Sequence, residues 1–402
     1  MAYLREQHVK FLDSANLDAF GNLRVSMGGN RFDSEFTFDT LEEVIDEVLS
    51  GAGTSSHQTN TRDVILANVA TGLTDYAGLH SYPVPYTPGN SQLIALTGVL
   101  DYAAIGGGTA QIFLRTKVTG TVAEQVVDQA SWEFPNNDLD FTLSQIFEMD
   151  FQSLKVGRIR YGINRCGVFE LVHSIENDNL RNSGYWQTPS QPVYWRIYND
   201  ATYSYMEVGY GDTSNAIGFR YRIAKNVGAR MKAICGTVKS EGGAELFSMK
   251  GYPQSADMAQ TTKTVSTTII PLISIRARTT FQSLDNNAIS IPSSMTVQTD
   301  NPIRIIVYHD VALTGAAWVN VDTDHSVMEY DVTATTFSGG HIIDTEYVAT
   351  SKNINAAANT ILGKAVLWAR KNGQTGIFTI AAIRTTTTNA SVLCGIKWQE
   401  LR

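Results

Sequence analysis

Residues 145–163 read QIFEMDFQSLKVGRIRYGI, and their alternation decides the fold class. Phe147, Met149 and Phe151 alternate with Glu148, Asp150 and Gln152. After SLKVG the period of two resumes with Ile159, Tyr161 and Ile163 against Arg158, Arg160 and Gly162. A hairpin closed at Ser153–Gly157 sets Phe151 beside Ile159 and Asp150 beside Arg160. One face is then wholly apolar, and the other pairs carboxylates with arginines, worth a few tenths to ~1 kcal/mol per cross-strand pair.

Outward from this hairpin the signal stays β. Ser91–Leu100, Thr109–Val118, Glu124–Ala130, Val168–His173, Val193–Tyr198, Tyr203–Val208, Gly218–Ala224 and Met231–Thr237 are short runs separated by turn residues, the spacing of a sandwich or jelly roll. Glu241–Lys263 is a shift in composition that marks a domain boundary. Strand-like runs resume beyond it and end in Ser391–Leu401, where Val392, Cys394, Ile396 and Trp398 alternate. Upstream, residues 1–38 carry no sustained period and read as an extended arm. A capping box at Thr40 and Glu43, with Leu41, Val44, Ile45, Val48 and Leu49 as a stripe and Gly51 as the stop, predicts a short helix over Thr40–Ser50. Gly51–Arg62 reads as a polar connector, followed by a strand at Asp63–Val69. The expected architecture is all-β: an N-terminal arm over 1–80 with one short helix near 40–50, then two β-sandwich or jelly-roll-like domains over 81–245 and 246–402.

Composition narrows the function. Of 402 residues only 17% are charged and the formal net charge is −8. That is below the ~25% charged residues of ordinary soluble chains, as suits a surface partly covered by neighbouring subunits. An acidic chain without a lysine-arginine cluster is not expected to bind nucleic acid or an anionic membrane. MAYLREQHVKF at the start is too polar for a signal peptide, and no run of ~18 apolar residues occurs. Synthesis in the cytoplasm as a soluble protein is therefore expected. Cys166, Cys235 and Cys394 lack metal-ligand or redox spacing and read as buried free thiols.

Several segments resemble a family. DSANLDAFGNLRVS at Asp13–Ser26 and FDS at Phe32–Ser34 resemble the "DAFGRLRVS…FDS" signature of virion structural proteins from tailed bacteriophages, many of them marine. PGNSQLIALTGVL (Pro88–Leu100), the opening hairpin, TPSQPVYWRI (Thr188–Ile197) and ICGTVKSEGG (Ile234–Gly243) continue the resemblance in the same order, and PLISIR (Pro271–Arg276) extends it weakly. Asn22 stands where the family has a basic residue, and Ser153 where it has a tryptophan. The resemblance implies a non-enzymatic, multi-copy virion component at the head, neck or tail. Its partners would be copies of itself and other virion proteins, with Asp18, Phe20, Leu23 and Arg24 in the assembly arm.

The chemistry-bearing residues have bland readings beside sharp ones. Glu133, Asp138 and Asp140 near Trp132 have the composition of a sugar-processing carboxylate pair, but alternate as a surface strand does. Asp322, Asp324, His325 and Glu329 have the donors for a calcium loop without its glycine and remaining oxygens. No cofactor or metal is expected from these patterns, and no catalytic residue is nominated. Tyr185, Trp186, Trp195, Tyr203 and Tyr205 lie in an aromatic run that serves core, a subunit interface or contact with a host glycan. The expectation is a structural component of a virion; the alternative is a host-glycan-binding module of a phage head fibre or tail.

Overall fold

A computed structural model describes residues 29–40, 44–68, 74–86, 90–100, 107–117, 120–134, 138–151, 155–180, 183–186, 188–200, 202–224, 228–240, 251–349, 352–355, 365–370 and 376–402. The assembly-arm residues Asp18, Phe20, Leu23 and Arg24 and the hairpin tip Ser153 lie outside these ranges. The chain divides into two compact units, Met1–Leu246 and Phe247–Arg402. Both are built from antiparallel sheets, and the protein is all-β with a sandwich architecture.

The first unit contains β1 (Gly29–Glu35), β2 (Ile45–Ser50), β3 (Thr54–Gln58), β4 (Asp63–Ala67), β5 (Tyr76–Ser81), β6 (Gln92–Val99), β7 (Thr109–Thr116), β8 (Ala123–Asp128), β9 (Gln145–Phe151), β10 (Ile159–Arg165), β11 (Val168–Ile175), β12 (Val193–Asn199), β13 (Tyr203–Gly211), β14 (Ala216–Ala224) and β15 (Arg230–Ser240). One sheet runs β11-β10-β9-β6-β15-β4-β3, with β1 also on β15, and the other runs β2-β5-β12-β13-β14-β7-β8. The 145–163 hairpin has the register its alternation dictates: Phe151 opposes Ile159 and Asp150 opposes Arg160. Phe147, Met149, Phe151, Ile159, Tyr161 and Ile163 are all buried. They meet the second sheet through ring contacts such as Phe147 to Phe219 at 5.1 Å and Phe151 to Tyr210 at 5.4 Å. Apolar faces of two sheets thus close a single core, the main source of stability in such a sandwich.

The other face of the hairpin pairs Asp150 with Arg160, as its register dictates. Both are buried, joined by a charge-assisted hydrogen bond, with the guanidinium 5.5 Å from the Phe169 ring. The helix expected over Thr40–Ser50 is absent among the described residues. Residues 41–43 lie outside the described ranges, and Ile45–Ser50 is a strand paired along its length with β5, from Ile45↔Ser81 to Ser50↔Tyr76. Pairing with β5 outweighs the local helical stripe, which leaves Leu49 exposed while Ile45 is buried. The arm assignment is corrected for the same reason, since residues 29–80 supply strands to both sheets and the connector at 51–62 contains β3.

In the second unit one sheet orders Tyr252–Asp257, Ala390–Leu401, Ile289–Thr299 and Lys352–Asn355, with Lys263–Val265 and Leu367–Trp368 pairing alongside. The other orders Val319–Asn320, Met328–Asp331, Ile270–Ala277, Phe378–Arg384, Ile303–Thr314 and Thr336–Val348. The last strand is held between two neighbours, and its alternating Val392, Cys394, Ile396 and Trp398 all point into the core. Glu400 beside them is fully buried. It accepts hydrogen bonds from Ser326 Oγ (2.6 Å), Trp398 Nε1 (3.1 Å) and Arg402 Nη2 (2.6 Å). No helix among the described residues is long and apolar enough to cross a membrane.

Candidate functional site: the polar face of the seven-stranded sheet

The most unusual chemistry lies on the face of the seven-stranded sheet turned away from the core. In β12, Val193, Trp195 and Ile197 point inward, so Tyr194, Arg196 and Tyr198 point out. The same alternation sends Tyr203, Tyr205, Glu207 and Gly209 outward from β13, Gly218, Arg220 and Arg222 from β14, and Gln111, Phe113 and Arg115 from β7. Register aligns these into rows across the strands. Tyr194, Gly209, Gly218 and Phe113 form one, and Arg196, Glu207, Arg220 and Gln111 the next. Tyr198, Tyr205 and Arg222 form a third.

Glu207 is the hub. Its Oε2 accepts from Arg196 Nε at 2.8 Å and Nη2 at 2.6 Å; its Oε1 accepts from Tyr198 Oη at 2.9 Å and Arg115 Nη2 at 3.2 Å. Arg220 Nη1 lies 3.5 Å from the same Oε1, and Glu124 bridges Arg115 (2.7 Å) and Arg220 (3.1 Å). Arg220 Nε in turn donates to Gln111, whose amide donates to Asp128. Burial works to raise the Glu207 pKa, but Arg196, Arg115 and Arg220 together outweigh it and hold the carboxyl down at about 2. Charge-assisted, bidentate bonds of this kind fix geometry as well as energy.

Two glycines make the face possible. A Cβ on Gly209 would sit 2.7 Å from Tyr194 Oη, and one on Gly218 would sit 3.0 Å from Phe113 Cζ, so both rings lie across backbone that carries no side chain. The guanidiniums stack on this aromatic layer: Arg196 lies 4.3 Å from the Tyr194 ring, Arg115 5.0 Å and Arg220 5.2 Å from Phe113. Tyr203 and Tyr205 are half-buried at the margin, next to Arg222, Arg220 and Asp200. Burial, then the hydrogen bond to Asp200, pushes the Tyr205 phenol up to about 12.

The aromatic run therefore splits. Tyr185, Trp186 and Trp195 are fully buried, which fits the core alternative of their reading and corrects the contact one, since they offer no ring to a glycan or a neighbouring subunit. Trp186 Nε1 donates to Arg115 O at 3.3 Å and Trp195 Nε1 to Thr97 O at 3.2 Å, so even their polar edges are used internally. Of the five, only Tyr203 and Tyr205 reach the polar face. Sequence reading missed Arg115, Arg196, Glu207 and Arg220. The available signal is the presence of charged residues at outward positions within four strands rich in apolar and aromatic residues: Arg115, Arg196, Glu207, and Arg220 with Arg222.

The other constellations do not assemble. Trp132 is buried with its indole bonded to Val127 O, so it is no sugar platform. Asp138 is held below the usual carboxylate range by its hydrogen bond to Arg165, and Asp140 by its bond to Thr142. A glycosidase acid needs the opposite shift. Asp322 accepts from the backbone N–H groups of Asp324 and His325, closing its own turn, while Glu329 pairs with Arg276 at 2.6 Å. Among the described residues no three histidine, cysteine or acidic side chains converge as metal ligands. Cys166 is exposed at a turn rather than buried, Cys235 is half-buried, and burial pushes the Cys394 thiol up to about 12.

No protein-family model matches the chain, and no curated protein sequence matches it. Among solved structures, an endo-1,3-beta-glucanase from Streptomyces sioyaensis is similar at 8% identity, covering 53% of this chain and 96% of its own, with a TM-score of 0.30. A lectin from Bauhinia forficata in complex with GalNAc is similar at 11% identity over 53% of this chain and 99% of its own, TM-score 0.21. The carbohydrate recognition domain of Emp46p is similar at 11% identity over 53% of this chain and 98% of its own, TM-score 0.22. Superpositions this loose transfer no activity.

Proposed function

We propose that the chain is a non-enzymatic structural component of a tailed-phage virion, acting by assembly with copies of itself and with other virion proteins. One observation carries the reading. The segments that resemble the virion family are scattered over two hundred residues, yet those at 32–34, 88–100, 145–163 and 234–243 supply β1, β6, β9, β10 and β15, which are contiguous in one sheet. The segment at 188–197 supplies Trp195, whose ring lies against Gly98 of β6 and Gly236 of β15. The resemblance thus follows one packed unit rather than scattered surface positions.

The test is detection of the chain in density-banded particles from an infected host, with peptide signals comparable to those of major particle proteins. Absence from intact particles overturns the reading. A variant lacking residues 1–28 keeps every described strand and is expected to fold yet fail to enter particles. Normal incorporation would remove the assembly role assigned to Asp18, Phe20, Leu23 and Arg24.

A second reading, binding of a host glycan, is favoured by Tyr198, Tyr203 and Tyr205, the half-exposed rings of the polar face. Stacking on a sugar requires a free ring face. Tyr198 and Tyr205 stack on each other at 5.0 Å and Arg222 lies 4.6 Å from the Tyr203 ring, so Tyr203 would offer a sugar the face opposite Arg222. A glycan array probed with the assembled oligomer tests it: binding that Tyr203→Ala abolishes supports it, and an empty array removes it.

A further inference from the structure

On the polar face, three donors remain after the Glu207 network has been satisfied. Arg115 Nη1, Arg196 Nη1 and Tyr194 Oη are buried and have no hydrogen-bond partner among the described residues. Their residues are 7%, 1% and 0% exposed, respectively. Unpartnered buried polar atoms are rare in folded proteins and require an explanation.

Of these, Arg115 Nη1 and Tyr194 Oη share one patch. Tyr194 Oη sits over Gly209; Phe113 sits over Gly218, the register neighbour of Gly209; and Arg115 crosses the Phe113 ring to reach Glu207. Arg115 Nη2 is anchored by both Glu207 and Glu124, which fixes the planar fork and hence the direction of Nη1. We propose that Arg115 Nη1 and Tyr194 Oη form the donor pair of a binding site for one small monovalent anion, a halide or a carboxylate.

Charge and surroundings favour an anion over water. The ion-paired set holds three guanidiniums, Arg115, Arg196 and Arg220, against two carboxylates, Glu207 and Glu124. Within this ion-paired set guanidiniums outnumber carboxylates by one, and around the buried Arg115 and Arg196 Coulomb attraction is weakly screened. Phe113 and Ala216 pack with Tyr194 and accept no hydrogen bond, and the His80 ring (5.7 Å) and the Arg196 guanidinium (4.3 Å) lie beside it. Arg115 Nη1, Arg196 Nη1 and Tyr194 Oη are all donors, and an anion is an acceptor only. The site is independent of the virion assignment.

The experiment measures thermal unfolding of the full-length chain at constant ionic strength, replacing sulfate stepwise by bromide, acetate or glucuronate, for the parent and for Tyr194→Phe. The difference between parent and variant removes general salt effects. The parent is expected to gain stability along a saturable curve in at least one arm, and Tyr194→Phe to shift its midpoint concentration roughly tenfold, the loss of one hydrogen bond to a charged group. Response to bromide or acetate alone assigns a free anion, whereas a glucuronate response assigns the carboxylate of an acidic sugar. Arg115→Gln should abolish the response, and Tyr194→Phe keeps the test decisive if that variant does not fold. Identical curves for parent and Tyr194→Phe in every arm, or bromide-soaked crystals without an anomalous peak within hydrogen-bond distance of Arg115 Nη1, would overturn the site.

Discussion

Replacing Glu207 by Gln keeps the shape of the side chain and removes the charge that three guanidiniums surround. Glu207 is fully buried, so the guanidiniums of Arg196 and Arg115 lose their common counter-charge in a place water does not reach. Breaking one partner of a buried ion pair costs about 3–5 kcal/mol. For a unit of this size that lowers the melting temperature by roughly 10 °C. The pH dependence gives a second, independent reading. The Glu207 pKa is depressed in the fold, from 4.5 to about 2. Its ionic contribution is therefore fully present above pH 4.5 and is lost as pH falls through about 2. A shift of this size is worth about 3 kcal/mol by proton linkage. Urea unfolding of parent and Glu207→Gln, followed by tryptophan fluorescence between pH 7 and pH 2, should show a stability gap that narrows by about that amount below pH 4.5. A gap under ~1 kcal/mol at pH 7, or one that does not change with pH, would refute the hub role of Glu207.

Three further outcomes follow from the packing. Arg160→Met alone should cost about 3–5 kcal/mol by leaving Asp150 buried without its partner, and Asp150→Leu with Arg160→Met should recover most of it; denaturation of the four members of the cycle measures this, and additive losses would contradict it. Gly209→Ala should destabilise the first unit by over ~2 kcal/mol, because its Cβ would lie 2.3 Å from Ile217 O as well as against Tyr194; thermal melts that match the parent would count against the close approach. Glu400→Ala should cost the second unit roughly 2–4 kcal/mol by stripping acceptors from Ser326, Trp398 and Arg402, visible as lost protection of the 390–401 amides in hydrogen exchange.

The central strands were legible because one face of each meets the core and period two survives in the sequence. The 145–163 register follows from Phe147 to Ile163 alone. Of the first eighty residues only the strand at Asp63–Val69 was legible, found as β4 over Asp63–Ala67. Ile45–Ser50 has a helical stripe and becomes a strand only because β5 lies beside it, a long-range fact that local propensity does not contain. The Thr54–Gln58 strand, TSSHQ, is polar and pairs with β4 without an apolar face of its own, so alternation has nothing to register. Asp150 and Arg160 were legible as opposite partners but not as buried ones, because pattern reveals which residues face each other and not what lies above them. The polar face was missed for the same reason. Arg115, Arg196, Glu207 and Arg220 lie in four different strands, and only the strand order β12-β13-β14-β7 brings them together.

The proposed assembly role rests on a resemblance whose segments converge on β1, β6, β9, β10 and β15. Its most direct test is a density map of the intact particle at side-chain detail. The expected result is many symmetry-related copies of the β11-β10-β9-β6-β15 sheet, with Trp195 seated over Gly98 and Gly236. A complete particle map whose density is fully accounted for by other chains would contradict it.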